Sequence, residues 1–357
     1  MAQNTIFSGR EFSVYVNEDK VAGSDGTGTF PAVANSTWKR LDVDSVTFPS
    51  FNPVTEFEMR TGAGRVAEFN QVYTSSNRVI TEFSLSGRLT TQDLPIFAEN
   101  VTGIVSASDK IEIASGYTPA SLLTGGAVVS GDYHLGLSFY FAAPGGASIA
   151  DSYKLTGCVC TSLTLSADMD DAAGRFSFDA SFQTAYAVTK GAVSTTNMTG
   201  IGSTKLLLAD LGLKTITLLG TTTLGANDAL WKSVSCTIEQ PVQFLGTTGT
   251  AGNPEVIARG VPETTFVLSG SVKYDDDTDQ IIEAYRAGLA ADYTAIYLSN
   301  VAIDTGTFAA SSTGIGFNIP KGKFQSAEVS ADDVAMVNFE VKALDGGSGN
   351  AFEILVA

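Results

Sequence analysis

Hydrolytic, redox and metal chemistry depend on thiols, imidazoles and carboxylates at set spacings, and this chain of 357 residues holds three cysteines and one histidine. Cys158 and Cys160 sit two apart in Cys-Val-Cys-Thr-Ser-Leu-Thr-Leu, an alternating run that predicts a strand with both thiols on one face. The third, Cys236, comes 236 − 160 = 76 residues later without a histidine beside it, so the spacing matches no zinc site and the thiols read as apolar packing. His134 stands at the head of another strand-like run, and a single imidazole removes most Ser-His-Asp and Cys-His arrangements at once. The run Asp275-Asp276-Asp277-Thr278-Asp279 spaces its acids like the first ligands of a calcium loop. Its sixth position, however, is Gln280 rather than glycine, and its twelfth is Arg286 rather than glutamate. These acids precede Ile281, Ile282, Tyr285 and Leu289, which share one helix face, so they read as cap and first-turn residues. Glycine clusters at Gly23 and Gly246 lead to no Gly-Lys-Ser or Gly-Lys-Thr and read as loops. The expectation is a protein with no catalytic residues, no metal and no cofactor.

Without a reaction centre, function has to come from shape and surface. Acidic residues number 38 against 21 basic ones, a formal net charge of −17, while 44% of the chain is hydrophobic. That apolar share excludes a disordered chain, and the length predicts one very large domain or two ordinary ones. The longest apolar stretch, Leu206 to Leu219, is interrupted by Asp210 and Lys214, so no membrane-spanning helix is expected. The opening Met-Ala-Gln-Asn-Thr-Ile-Phe has no basic-then-apolar leader pattern, which predicts synthesis in a cytoplasm.

The strongest signal is an internal repeat. Trp38-Lys39 recurs as Trp231-Lys232, Glu82-Phe-Ser-Leu-Ser-Gly87 as Thr265-Phe-Val-Leu-Ser-Gly270, Asp132-Tyr133 as Asp292-Tyr293, and Leu165-Ser-Ala-Asp168 as Val329-Ser-Ala-Asp332. All four matches are collinear. A short helix falls in the same slot of each copy, Gln92 to Val101 and Thr278 to Leu289. The fold class predicted is mainly β, as two tandem β-sandwich domains over 1–212 and 213–357, each with one packed α-helix and a long protruding hairpin arm. The strands are two-faced: Phe176, Phe178, Ala180 and Phe182 alternate with Ser177, Asp179, Ser181 and Gln183. The arms lie between the first two long strands of each copy, from Pro49 to Asn77 and from Gln240 to Pro262. Connections of that length are uncommon without a function, and Phe51, Phe57, Phe69, Phe244 and Ile257 on them predict burial against a neighbouring subunit.

The Trp-Lys strand, the long arm, the Leu-Ser-Gly strand leading to a single helix and the closing strand pair, all present twice, resemble the tail tube (major tail) proteins of long-tailed bacteriophages that carry two tube domains in one chain. The resemblance covers nearly the whole chain. It implies homotrimeric rings of six domains, with sheets closing an inner β-barrel, helices outside, and rings stacked into a hollow tube in the virion. It also implies tape-measure, terminator and baseplate or hub proteins as partners, and double-stranded DNA passing through without specific binding. No membrane partner is implied. A conduit for DNA must avoid Lys and Arg, which bind phosphate by releasing counterions, and aspartates on its wall repel phosphate only within about 8 Å. On this reading Asp42, Asp44, Glu82, Asp179, Glu239 and Glu340 face the lumen. Three other readings compete: a carbohydrate-binding or adhesin-like tandem sandwich with Trp38 and Trp231 as stacking platforms, a glycosidase using paired carboxylates, and a low-copy hub or tube-initiation protein of the same fold.

Overall fold

Alternating strands such as Phe176 to Gln183 can bury one face only by sharing it, and the way they do so organises the molecule. The structure, a computed structural model, describes residues 12–18, 38–48, 54–57, 72–75, 80–104, 106, 109–118, 123–124, 127–128, 136–143, 152–186, 188–191, 198–225, 228–245, 256–260, 263–288, 294–299, 303–304, 307–308, 314–331 and 334–356. These residues are mainly β, with two α-helices.

Eight antiparallel strands form a front ladder. Its order is β3 (Val43–Thr47), β6 (Thr81–Arg88), β12 (Ser177–Thr184), the C-terminal part of β11 (Tyr153–Asp168), β17 (Trp231–Glu239), β20 (Thr265–Lys273), β25 (Ala335–Ala343) and the C-terminal part of β24 (Ile315–Ala331). Two back ladders accompany it. The first runs β14 (Met198–Thr199), β2 (Trp38–Arg40), β1 (Ser13–Glu18), β10 (Leu137–Ala142), the start of β11 and β13 (Thr189–Lys190). The second runs β16 (Thr222–Leu224), β15 (Leu213–Leu218), β21 (Thr294–Ser299), the start of β24, β26 (Asn350–Val356) and β7 (Lys110–Ala114). Smaller pairings join β4 (Val54–Phe57) to β5 (Val72–Ser75) and β22 (Ile303–Asp304) to β23 (Thr307–Phe308). A four-stranded piece links β18 (Val242–Leu245), β19 (Val256–Arg259), β8 (Leu123–Thr124) and β9 (Ala127–Val128).

One succession of pairings occurs twice: β1·β10·β11·β12·β6·β3, then β15·β21·β24·β25·β20·β17. The long strands β11 and β24 each pass from a back ladder into the front one. Each carries an irregularity, at Cys160/Ser162 and Phe324/Ser326, of the kind that bends a strand out of one sheet and into another. Ladder position shifts the correspondence read from sequence. Leu165 lies opposite Phe178, and the matching place opposite Phe339 is taken by Ala327 rather than Val329. The difference comes from the turn at the strand's end. β11 leads through a 3-10 turn with Ala172, Ala173 and Gly174 at positive φ, whereas β24 resumes as β25 within a few residues. The strand expected to run unbroken from Trp38 to Val46 is also divided. β2 joins the back ladder and β3 the front, and between them the chain presses so close to Gly87 that a Cβ there would overlap the Asp42 carbonyl oxygen.

The core lies between the ladders. Phe83 of β6 meets Phe139 of β10 edge-on at 5.1 Å and stacks on Phe182 of β12 at 5.2 Å. Each such ring removed from water contributes roughly 1.5–3 kcal/mol. Helix α1 (Leu94–Thr102) adds Phe97, 4.9 Å from Phe178. Helix α2 (Asp279–Ala287) is preceded by the acidic run, which forms its entry turn: Asp275 Oδ1 accepts from the Thr278 N–H at 3.1 Å, and Thr278 Oγ1 accepts from the Asp275 N–H at 2.8 Å. The Thr278 amide holds the Asp275 carboxyl below its usual range.

Candidate functional site

The second face of the front ladder is largely polar. Strand register lines its side chains up in rows that cross β6, β12, β11, β17, β20, β25 and β24. One row runs Arg88, Ser177, Ser166, Ser235, Ser269, Glu340, Ser326; the next runs Ser86, Asp179, Thr164, Thr237, Val267, Lys342, Lys323. Hydroxyls bridge neighbouring strands within the rows: Ser166 Oγ and Ser177 Oγ are 3.1 Å apart, and Thr164 Oγ1 and Thr237 Oγ1 are 3.0 Å apart. The second of these bridges crosses from β11 to β17, where the two copies of the pairing order meet, so the polar face continues over that joint. Shallow depressions of about 430, 630 and 510 Å³ lie along it. Polar residues line most of the first two, while Phe48, Ile80, Phe83 and Phe182 border the third beside Glu82 and Gln183.

The charges on and around this face are arranged with a bias. Asp179, Glu82 and Glu239 are exposed on it and Glu340 is half-buried on it. Glu82 accepts from Gln183 Nε2 at 2.8 Å, and Glu239 from Thr265 Oγ1 at 3.5 Å, so both have neutral partners. Four of the basic side chains nearby are answered by carboxylates. Arg175 reaches Asp42 at 2.9 Å, Arg88 lies 3.3 Å from Asp171 and 3.6 Å from Asp44, Lys232 is 2.9 Å from Asp170, and Lys342 is 2.7 Å from Glu263. The six acids singled out in the sequence therefore divide. Glu82, Asp179, Glu239 and Glu340 share the polar face, whereas Asp42 just before β3 and Asp44 within it are partners of arginines.

The ladder ends openly on both sides. Among the described residues the outer edge of β3 and the outer edge of the C-terminal part of β24 pair with no further strand. Large apolar side chains are exposed there, Phe48 just after β3 and Val329 on β24. No sequence pattern marked these edges, because alternation identifies the faces of a strand and says nothing of its neighbours.

The arm residues also divide. Phe51 and Phe69 lie outside the described residues, and of Phe57 only its place at the end of β4 is described. Phe244 and Ile257, expected to await a neighbouring subunit, are instead buried within this chain, where β18 and β19 pair with each other and Ile257 pairs with Leu123 of β8. The pairing of β19 with β8 was not anticipated by the sequence pattern.

The reactive side chains sit away from the polar face. Cys158, Cys160 and Cys236 are free thiols with no exposure, and burial raises the Cys160 and Cys236 thiols far above their usual range. His134 lies outside the described residues. Trp38 and Trp231 are both buried, one against Tyr140 and the other against Phe339, so neither indole offers a stacking platform. Burial also pushes the Asp93 carboxyl up to about 6 while it accepts from Thr90 Oγ1 at 2.6 Å, but Asp93 is inside the core at the start of α1. No protein-family model and no curated protein matches this sequence.

Proposed function

We propose that this chain is the structural subunit of a phage tail tube, built of two tandem tube domains, 1–212 and 213–357, and polymerising as rings that stack into a conduit for double-stranded DNA. The observation that carries the reading is the polar ladder of eight strands, continuous across both copies of the repeat and, among the described residues, unpaired at both edges. A sheet edge of unpaired N–H and C=O groups invites pairing with another chain, and closure into a barrel removes it. Three copies contribute twenty-four strands. At about 4.8 Å between strands and a tilt of about 40°, such a barrel is about 48 Å across its backbone, wide enough for a duplex. Two domains per chain turn a pseudo-sixfold ring into a threefold one.

The wall chemistry supports the same reading. DNA adheres through lysine and arginine contacts to phosphate, and around this face Arg88, Arg175, Lys232 and Lys342 are held by carboxylates while Glu82, Asp179 and Glu239 stand exposed. Helix α2 leaves most of its surface to solvent, consistent with an outer position. Passage of DNA asks for no catalysis, metal or cofactor. Tape-measure, terminator and baseplate or hub proteins are the partners this role entails, and the virion is its location.

Negative-stain microscopy of the purified protein tests the proposal directly. Hollow tubes or threefold rings are expected, with a reconstruction placing Glu82, Asp179, Glu239 and Glu340 on the inner wall. A protein that stays monomeric at every concentration and salt, or tubes with this face outward, would overturn it.

A further inference from the structure

The internal joint between β11 and β17 is a template for the joint between molecules. The duplicated pairing order makes β24 the counterpart of β11 and β3 the counterpart of β17. Inside the chain β11 and β17 pair as Thr164 with Thr237, Leu165 with Cys236, Ser166 with Ser235, and Ala167 with Val234. Strand register in the two copies supplies the equivalents. Ser326, Ala327, Glu328 and Val329 occupy the places of Thr164, Leu165, Ser166 and Ala167, because they lie opposite Glu340, Phe339, Asn338 and Val337 as the others lie along β12. Thr47, Val46, Ser45 and Val43 occupy the places of Thr237, Cys236, Ser235 and Val234, through their partners Ser84, Leu85, Ser86 and Gly87 on β6.

We propose that the outer edge of β24 adds antiparallel to the outer edge of β3 in a second copy of this chain, pairing Ser326 with Thr47, Ala327 with Val46, Glu328 with Ser45, and Val329 with Val43. This rests on the tube reading above and names the strands and register that join its subunits. The transferred register puts polar residues opposite polar ones and apolar opposite apolar. A shift by one residue would drive Glu328 and Ser45 into the apolar side. Exposure agrees. Val329 is 44% exposed and Phe48 38%, whereas Ala167 and Ile238, at the corresponding places of the internal joint, are 4% and 0% exposed. What covers the second pair inside the molecule is a strand of the other copy of the repeat. What covers the first is the same strand of the next molecule.

Engineered disulfides read the register. All three native cysteines are buried, so a pair introduced on the polar side oxidises without competition. Glu328→Cys combined with Ser45→Cys is compared, under mild oxidant, with Glu328→Cys combined with Thr47→Cys, two residues out of step. The in-register pair is expected to cross-link at least fivefold faster and to close at a covalent trimer. Faster cross-linking of the out-of-step pair, or none from either in assembled tubes, overturns the register while leaving the tube intact. Covalent dimers through these positions without any ring or tube would support the edge pairing and sink the tube. As a second arm, Val329→Lys is expected to abolish assembly with the monomer's near-ultraviolet circular dichroism unchanged; normal tubes from this variant count against the proposal.

Discussion

The two helices hold the same slot in the repeated order and live in different surroundings. In α1 seven of nine residues are buried; in α2 only Ile281 and Ala284 are. What encloses α1 comes from several strands. It packs on β11, β26 and β17, and Tyr117 beyond β7 donates to the Thr102 carbonyl at the end of the helix. Asn100 accepts from the Cys160 N–H at 2.6 Å, and Arg259 approaches Gly103 at the C-terminal cap. Equivalent positions in a duplicated pattern thus inherit the same pairing partners without inheriting the same packing.

That contrast sets a graded series of measurements, read as unfolding free energy of the unassembled protein by chemical denaturation. Phe97→Ala leaves a void against Phe178 and Phe182 and is expected to cost about 3–5 kcal/mol. If the loss were under about 1 kcal/mol, α1 would be no better enclosed than α2.

The aspartates that lead into the helices titrate in opposite directions. Asp93, desolvated, has its carboxyl raised from 3.8 to about 6, so the folded protein holds a proton that the unfolded chain releases. Its contribution to stability is greatest below about pH 4 and declines as pH rises toward 6, by on the order of 3 kcal/mol. Asp275, lowered, contributes above the ordinary carboxyl range and is lost as pH falls through it. Asp93→Asn should flatten the stability profile between about pH 4 and 6, and Asp275→Asn only its acid end. Profiles unchanged by both substitutions would refute the assignment.

The caps give the next smaller contrast. Gly103 and Gly288 both close a helix at positive φ, 71° and 53°. A Cβ at Gly103 would sit 2.8 Å from Arg259 Nη1, while at Gly288 its nearest neighbour is 3.7 Å away. Gly288→Ala is expected to cost about 1–2 kcal/mol from backbone strain alone, and Gly103→Ala about 1 kcal/mol more. Equal losses would mean that Arg259 yields freely. Smallest of all, Tyr285→Ala on the exposed side of α2 should stay within about 0.5 kcal/mol.

Much of the scaffold was legible in the residues themselves. Alternation in Phe176–Gln183 placed Phe178, Ala180 and Phe182 inside, and both helices lie within a few residues of where their apolar spacing put them. Four of the six acids fall on one polar face for the same reason: a period of two sorts side chains by face. Neighbours were not legible. That β17 would pair with β11, and β7 with β26, depends on contacts between residues far apart in sequence that no local pattern encodes. The turn after β11 was equally silent, and it moved the true counterpart of Leu165 from Val329 to Ala327. The arm residues Phe244 and Ile257 were misplaced because burial against a neighbouring subunit was inferred from loop length, whereas both are buried within this chain.

The pairing of β7 with β26 also governs when the molecule can finish folding. Ala114 waits for Asn350, the turn at Ser115 and Gly116 waits for Asp345, whose carboxylate accepts from both at 2.6 and 2.7 Å, and Ile111 waits for Ile354. All three partners lie far along the chain, Asp345 coming 230 residues after Ser115. Non-local closure of this kind is slow. Deleting β26 would leave β7 without the strand it pairs with, and the second back ladder would stay open on that side.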